Sequence, residues 1–210
     1  MVRIMTDDAT YQKFAERYAD GRIPWDDELP PPEVIDLLVR LPPGRALDLG
    51  CGYGRAAIFM AHQGWQVDAV DFVPQAIAGA AARAQAAGVA GRIRFHTAPV
   101  TDLGFLDGPY DLALDVGCMH ALTAVELQAY RDELCRLLQS RAHYLLFVHV
   151  RDDTAGDDTD ARGLDTATVD SLFAQGFGLE QVKHGLTQVE DRPPWHSAWF
   201  WFRRQDPNTL

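Results

Sequence analysis

The fold is decided by residues 46–55, which read Ala46-Leu47-Asp48-Leu49-Gly50-Cys51-Gly52-Tyr53-Gly54-Arg55. The first four residues suit a short buried strand, and the glycines suit a tight turn that opens a helix. Glycine lets the backbone approach a ligand closely, and ligands of open parallel sheets bind beyond the carboxyl ends of the strands. The segment therefore predicts a ligand-binding turn at Gly50, Gly52 and Gly54.

A second strand-like segment, residues 67–70, ends at Asp71. This carboxylate lies about 20 residues beyond the first glycine, which is where a ribose-binding acid belongs. A dinucleotide site is the alternative, and its G-x-G-x-x-G pattern requires a glycine at the position of Arg55. Because Gly54 falls one residue too early, the spacing disfavours an NAD-dependent oxidoreductase, which stays open as an alternative.

Strand-like and helix-like segments alternate along the chain. Such alternation needs crossover connections and predicts an α/β fold with a doubly wound, mostly parallel sheet. The predicted strands are residues 45–49, 66–70, 93–97, 110–116, 143–150 and 195–203, and the predicted helices are residues 10–19, 34–41, 55–63, 76–87, 126–139 and 166–175.

Composition limits the function classes. The chain has 210 residues and is 47% hydrophobic, which suits one domain with a sizeable core. It carries 19 Lys and Arg against 30 Asp and Glu, a net charge of -11, so nucleic acid and anionic membrane surfaces are disfavoured partners. The N-terminus lacks the apolar stretch of a signal peptide, and no apolar run approaches the roughly 18 residues of a membrane span. We expect a cytoplasmic single domain, residues 1–210, that is a monomer or a homodimer.

The cysteines and the acidic segment near the C-terminus do not predict a metal site. The three cysteines are odd in number and lack C-x-x-C spacing, which argues against a disulfide framework or a zinc site. Residues 158–163 begin like a calcium loop, but Val169 stands where a bidentate glutamate is required. We predict a solvated loop over residues 151–163 and no bound metal.

The motif segments resemble a known family. Residues 48–54 followed by Val70-Asp71 are similar to motifs I and II of the class I S-adenosylmethionine-dependent methyltransferases, and residues 110–115 resemble motif IV. Pro24-Trp25-Asp26 and residues 116–122 resemble the small-molecule branch related to thiol, thiopurine, halide and tellurite methyltransferases. The resemblance implies a Rossmann-like sheet of seven strands with an antiparallel last strand, and S-adenosylmethionine as the cofactor.

The resemblance also implies a cofactor site. Asp71 is expected to bind the ribose, and Asp48 to organise the glycine turn. Asp115 and Val116 are expected near the methionine part, where Asp115 would hold the ammonium group. Phe72 is expected either to pack on adenine or to be an ordinary edge hydrophobe. The full expected set is Trp25, Asp48, Gly50, Cys51, Gly52, Gly54, Asp71, Phe72, Val100, Asp115 and Val116.

Two parts of this site depart from a regular pattern. Trp25 is expected either to close over the cofactor sulfonium, where an aromatic face favours a cation, or to anchor the N-terminal segment. Residues 1–42 are accordingly predicted to form a helical lid. At the adenine end, Pro99 stands where the family usually has an acidic residue, so adenine is expected to rely on the backbone around Val100 or on Asp102.

The histidines supply the candidate catalytic groups. His120 follows the fourth predicted strand, where the acceptor meets the donor methyl, and is the candidate base. His149, which ends the fifth strand, is the second candidate, and His196 is the third because its segment could fold over the substrate. For each histidine, a structural hydrogen-bonding role is the alternative.

The expected function is methyl transfer from S-adenosylmethionine, by in-line displacement, to a small-molecule acceptor at sulfur, nitrogen or oxygen. A base is needed only where the acceptor carries a proton that does not leave readily. A non-catalytic protein that binds or senses S-adenosylmethionine remains the alternative from another class, because Pro99 departs from the family pattern.

Overall fold

A computed structural model of the protein describes residues 8–21, 23–151, 163–188 and 194–206. The strands in these ranges are β1 (Arg45–Leu49), β2 (Gln66–Asp71), β3 (Ile93–Thr97), β4 (Tyr110–Val116), β5 (Leu138–His149), β6 (Phe177–Thr187) and β7 (Trp195–Arg204). The helices are α1 (Asp8–Ala19), α2 (Pro32–Leu38), α3 (Arg55–His62), α4 (Pro74–Ala86), α5 (Ala124–Leu137) and α6 (Thr166–Phe173), with 3-10 helices at Ala90–Arg92 and Met119–Ala121.

The strands form one seven-stranded sheet in the order β3-β2-β1-β4-β5-β7-β6. β1 to β5 pair in parallel, and β7 runs antiparallel to both of its neighbours, β5 and β6. This confirms the predicted mostly parallel, seven-stranded α/β sheet with an antiparallel last strand. The carboxyl ends of β1, β2, β4 and β5 lie at one edge of the sheet, together with the start of β7.

Helices cover both faces of the sheet. α2, α3 and α4 contribute to a hydrophobic cluster on one face, and α5 and α6 contribute to a second cluster on the other. Side chains that alternate along β1, such as Ala46 and Leu47, belong to different clusters, and both are fully buried. A strand that is buried on both faces has a nearly continuous apolar sequence, and for this reason β1 could be predicted from the sequence.

Two departures from the prediction concern the second half of the chain. β6 was not among the predicted strands, and β5 begins at Leu138, directly after α5, instead of at residue 143. The first part of β5 is irregular: Arg141 has a φ of 64°, and the pairing with β4 shifts register between Tyr110 and Leu112. A strand with such an interruption lacks the uniform apolar pattern that sequence reasoning requires.

Among the described residues, none of the helices is long and apolar enough to cross a membrane.

Candidate active site

The glycine turn joins β1 to α3. Gly50, Gly52 and Gly54 have φ values of +68°, +55° and +77°, a region that residues with a side chain rarely adopt. The backbone N–H of Cys51 donates to the carbonyl of Val70 at 2.9 Å, which fixes the turn to β2. The turn therefore lies at the carboxyl ends of two adjacent parallel strands, where ligands of such sheets bind.

Asp71, the last residue of β2, closes this turn. Its Oδ2 accepts the backbone N–H of Gly52 and its Oδ1 accepts that of Val73, both at 2.9 Å. The side chain is 5% exposed, and burial raises its pKa to about 6 in spite of these hydrogen bonds. A carboxylate oxygen that accepts one N–H retains a further lone pair. Asp71 is thus built into the turn and still able to accept hydroxyl groups of a ligand.

Asp48 is a second buried carboxylate, in the middle of the turn-bearing strand. It is 3% exposed, and its Oδ2 has no hydrogen-bond partner among the residues that the structure describes. Burial raises its pKa to about 7. A buried carboxylate oxygen without a partner is unfavourable, so this position would be stabilised by a positively charged ligand nearby.

Asp115, near the end of β4, is fully buried. Its oxygens accept the backbone N–H groups of Cys118 and Met119, at 2.7 and 3.1 Å, and the Tyr130 hydroxyl at 2.8 Å. Burial raises its pKa to about 7. These bonds order the turn that follows β4. The expectation that Asp115 also holds an ammonium group of the cofactor stays a prediction.

We expect the cofactor-free protein to lose stability as the pH rises from about 4 to about 7. Burial raises the pKa values of Asp48, Asp71 and Asp115 above those of an unfolded chain, so in this window the folded state binds more protons. Linkage then lowers the free energy of unfolding with rising pH. Thermal melts at constant ionic strength between about pH 5 and pH 8 should show Tm falling by roughly 5 °C or more. In the Asp48→Asn variant, Tm should fall less steeply with rising pH than in the wild type. A Tm that is constant or rises across this range would contradict the assignment.

Helix α1 packs over the glycine turn. The Tyr18 hydroxyl lies 2.9 Å from the point where a Cβ on Gly52 would stand, and the Tyr18 side chain is buried. Burial, and secondarily the nearby Asp71, raise the pKa of Tyr18 far above its usual value. The sequence predicted the helix but not the residue on its inner face, because the contact joins segments that are distant in the chain. Tyr18 was therefore missed as a site residue.

Trp25 packs against α1. Its ring lies 5.9 Å from that of Phe14, between centroids, and the Arg17 guanidinium lies over it at 5.3 Å. Phe72 also contacts Phe14, at 5.8 Å. The ring contacts described for Trp25 and Phe72 are thus with α1, which agrees with an anchoring role for Trp25. Contact of either ring with the cofactor stays a prediction.

The loop after β3 lies beside Asp71, because the backbone N–H of Ala98 donates to the Asp71 carbonyl at 3.1 Å. Val100 is 6% exposed and belongs to the hydrophobic core. Asp102 is exposed, and its backbone N–H donates to the carbonyl of Pro99 at 3.2 Å. The predicted adenine contacts at this loop remain predictions.

His120, the candidate base, lies in the 3-10 helix after β4. Its ring stacks on that of His149, with 4.4 Å between centroids and 9° between planes. The Trp195 ring meets His149 edge-on at 4.6 Å. His196 is exposed, and Val116 is partly buried beside the apolar core. The sequence ranked the histidines one by one, whereas pairing of β4 with β5 brings the first two together.

No group of three or more His, Cys, Asp or Glu side chains suited to a metal occurs among the described residues. Most of the acidic segment predicted as a solvated loop, residues 152–162, lies outside the described residues.

Residues 46–141 match a family profile described as a methyltransferase domain. The matched range, slightly less than half of the chain, is similar to a methyltransferase domain. The matched range runs from β1 into β5 and includes the glycine turn, Asp71 and His120. The seven-stranded order of the sheet agrees with this assignment over the whole of the described chain.

The chain is also similar to a curated relative and to solved structures. The 2-heptyl-1-hydroxyquinolin-4(1H)-one methyltransferase of Mycobacteroides abscessus is 25% identical over 142 residues, which are 67% of this chain and 62% of that protein. The chain thus spans less than two thirds of this relative. The 1,6-didemethyltoxoflavin-N1-methyltransferase of Burkholderia thailandensis, solved with 1,6-didemethyltoxoflavin and S-adenosylhomocysteine, has a TM-score of 0.70, 25% identity and coverage of 98% of this chain and 94% of that one. A protein of echinomycin biosynthesis, described for converting a disulfide bond into a thioacetal group, shares the fold at a TM-score of 0.76 and 24% identity, with 94% of each chain covered.

The residues around the glycine turn fit S-adenosylmethionine. The glycine turn leaves the backbone open at the carboxyl end of β1, and Asp71 offers acceptor lone pairs beside it. The unpartnered Oδ2 of Asp48 adds buried negative charge. A ligand that carries a sulfonium and an ammonium group would balance this charge, since buried carboxylates need a nearby cation to remain ionised. The cofactor expected from the sequence is therefore consistent with the site.

Proposed function

We propose that the protein transfers the methyl group of S-adenosylmethionine to a small-molecule acceptor at sulfur, nitrogen or oxygen. The observation that carries this proposal is the hydrogen bond of 2.9 Å from Gly52 N–H to Asp71 Oδ2. It joins a glycine turn and a strand-end carboxylate at the carboxyl edge of a methyltransferase-type sheet. The domain match and the two relatives described as methyltransferases support the same activity.

In this proposal the cofactor is held by three kinds of group. Asp71 would accept the ribose hydroxyls, the backbone of the glycine turn would hold the methionine part, and the loop at Val100 would hold the adenine. Burial raises the pKa of Asp48 to about 7, so its ionised form would be stabilised by the positive charge of a bound cofactor. Asp115 would act on the site indirectly, because its carboxylate accepts the N–H groups of Cys118 and Met119 and so orders the turn after β4.

When bound, the cofactor would supply an activated methyl group on a positively charged sulfur, which would leave with the electron pair of the broken carbon–sulfur bond. The chain's own task is to hold the acceptor about 3 Å from the methyl carbon and in line with the breaking bond. The turn after β4 is suited to this task, because Cys118 lies directly against the glycine turn: a Cβ on Gly50 would lie 2.5 Å from the Cys118 Cβ.

We further propose that residues 1–42 act as a lid on a single methyltransferase domain. Two ion pairs join the loop around Trp25 to helices α4 and α3: Arg83 with Asp26 at 2.7 Å and Arg55 with Asp27 at 3.1 Å. Together with α1, this loop would exclude water from the cofactor, and its release would admit a new one.

The remaining features of the proposal concern the setting of the protein. We propose a cytoplasmic protein that is a monomer or a homodimer and has no nucleic acid partner. The net charge of -11 supports the last point, because a polyanion would be repelled.

The proposal is tested by calorimetry with S-adenosylmethionine, S-adenosylhomocysteine and NAD, followed by transfer of a labelled methyl group to a panel of thiols, phenols, amines and halide. We expect binding of the first two compounds, none of NAD, and transfer to at least one acceptor class. Preferential binding of NAD would overturn the cofactor assignment. Binding without transfer to any acceptor would favour a non-catalytic binding or sensing protein.

A further inference from the structure

A row of four polar atoms runs through the core behind the turn that follows β4. It begins at Asp115, whose Oδ2 lies 2.8 Å from the hydroxyl of Tyr130 on α5. The Tyr130 hydroxyl lies 2.9 Å from that of Tyr144 on β5, which in turn lies 3.8 Å from the sulfur of Met119. All four residues are fully buried. The row therefore joins α5 and β5 to the turn after β4 in a part of the core that is closed to solvent.

The row has two hydroxyl hydrogens when Asp115 is ionised and one hydrogen more when Asp115 is protonated. Burial, and secondarily the neighbouring Asp115, raise the pKa of Tyr130 and that of Tyr144 far above the usual value, so each hydroxyl keeps its hydrogen. An ionised carboxylate only accepts, and it is a stronger acceptor than a hydroxyl or a thioether sulfur. With Asp115 ionised, Tyr130 therefore donates to Asp115, and Tyr144 donates to the Tyr130 oxygen.

Protonation of Asp115 reverses the direction of these hydrogen bonds. A hydrogen on Asp115 Oδ2 would lie between this oxygen and Tyr130, so Tyr130 would have to donate to Tyr144, and Tyr144 to the Met119 sulfur. Oδ2 also accepts the backbone N–H of Met119 at 3.1 Å, and a protonated oxygen is a poorer acceptor than a charged one. Asp115 therefore holds the turn after β4 most firmly when it is ionised and Tyr130 donates to it.

The turn after β4 adjoins the proposed cofactor site. Asp115 Oδ1 accepts the N–H of Cys118 at 2.7 Å, and a Cβ on Gly50 would stand 2.5 Å from the Cβ of Cys118, so the two turns are in direct contact. Resting on the proposed function, we propose that Tyr130 is a positioning residue for cofactor binding: by donating to Asp115, it orients the carboxylate that holds Cys118 against the glycine turn. Tyr130 acts through Asp115 and not by contact with the ligand.

The titration of Asp115 tests the hydrogen bond itself. Tyr130→Phe keeps the ring in the core and removes only the donor, so it should raise the pKa of Asp115 further above its present value of about 7. NMR of carbon-13-labelled aspartate carboxyl groups follows this titration without any cofactor, and the resonance that is absent from Asp115→Asn identifies the residue. Tyr110→Phe is the matched control, because the buried Tyr110 hydroxyl donates to another buried aspartate, Asp68, at 2.8 Å. An Asp115 pKa that is equal in Tyr130→Phe and in the wild type would overturn the proposal.

The pH dependence of cofactor binding tests the role in the site. The titratable groups that interact with Asp115 include Asp48 of β1, Cys118 of its own turn, Tyr130 of α5 and Tyr144 of β5. Tyr130→Phe leaves the other groups in place, so the ratio of its cofactor Kd to that of the wild type follows the ionisation of Asp115. Because the ionised carboxylate holds the turn, this ratio should be roughly tenfold at about pH 6 and should fall to within about twofold at about pH 9.

Calorimetry with S-adenosylhomocysteine measures Kd across this pH range for the wild type, Tyr130→Phe and Tyr110→Phe, with Tm recorded on the same samples. Tyr110→Phe should bind as the wild type does at every pH. A merely structural role of Tyr130 predicts a loss of affinity that does not depend on pH. That outcome, or no loss of affinity, would overturn the proposal and leave the proposed function standing. Failure of the wild type to bind S-adenosylhomocysteine would instead overturn the proposed function, and the role of Tyr130 with it.

Discussion

Replacing Asp71 by asparagine is expected to weaken binding of S-adenosylmethionine on the order of 100-fold while the cofactor-free protein stays folded. The two carboxylate oxygens now accept N–H groups from Gly52 and Val73 and keep lone pairs for ribose hydroxyls. Asparagine retains one acceptor oxygen, replaces the other by an amide that donates, and removes the charge. The ligand therefore loses charge-assisted hydrogen bonds, and one backbone N–H of the turn loses its acceptor.

The Asp71→Asn substitution is expected to change thermal stability much less than it changes cofactor affinity. Burial already raises the pKa of Asp71 to about 6, so near pH 8 the folded protein holds an ionised group in an unfavourable place. Removing this charge offsets the lost backbone hydrogen bond, and Tm should change by only about 2–3 °C. We therefore expect Asp71 to contribute strongly to ligand binding and little to the stability of the fold.

Calorimetry with S-adenosylmethionine and S-adenosylhomocysteine measures the effect, with Tm recorded on the same samples. Asp107→Asn is the matched control, because it removes the same charge from an exposed position that precedes β4, at the opposite edge of the sheet. Its affinity should equal that of the wild type. An unchanged affinity in Asp71→Asn would show that the cofactor binds elsewhere.

The strands around the glycine turn could be predicted because their burial is uniform. Residues 45–49, 93–97 and 110–116 were predicted with the observed bounds, and all three belong to the parallel part of the sheet. Strands covered by helices on both faces show apolar runs, and the glycines and prolines between them mark where the runs end. Local sequence carries this information without any knowledge of the tertiary contacts.

Strand β6 could not be predicted for the opposite reason. Most of its side chains are exposed, Gly178 and Gly185 lower its β propensity, and its register with β7 shifts between Leu179 and Gln181. It is a strand because β7 supplies a ladder of backbone hydrogen bonds. The partner lies beyond residue 194, so a window along the sequence does not contain the cause.

The site divides in the same way. The glycine turn and Asp71 follow one another closely enough in sequence for spacing to indicate a function. The packing of Tyr18 on Gly52 and the stack of His120 on His149 depend on contacts between distant segments. For this reason the glycine turn and its neighbour Asp71 could be predicted, whereas the packing of Tyr18 and the histidine stack required the structure.

Replacing Gly50 by alanine is expected to lower the free energy of unfolding by about 3 kcal/mol or more and to abolish cofactor binding. Two costs combine at this position. Its φ of +68° strains any residue with a side chain, and the added Cβ would stand 2.5 Å from the Cβ of Cys118, well inside van der Waals contact. The turn after β4 would have to move away from the glycine turn, and both halves of the site would separate.

Gly88→Ala isolates the first cost, because Gly88 has a φ of +73° and no described atom lies within 4 Å of the Cβ position. Denaturant unfolding should show a loss of only about 1 kcal/mol for Gly88→Ala, with normal cofactor affinity. If Gly50→Ala is too unstable to purify, the double variant Gly50→Ala with Cys118→Gly should recover folding, since the glycine removes the opposing Cβ. Recovery would place the clash at this contact. Two outcomes would contradict this: equal losses of unfolding free energy in Gly50→Ala and Gly88→Ala, or a double variant that does not recover folding. Either would mean that backbone strain alone explains the effect at Gly50. The close approach of residues 50 and 118 would then not hold the two turns together.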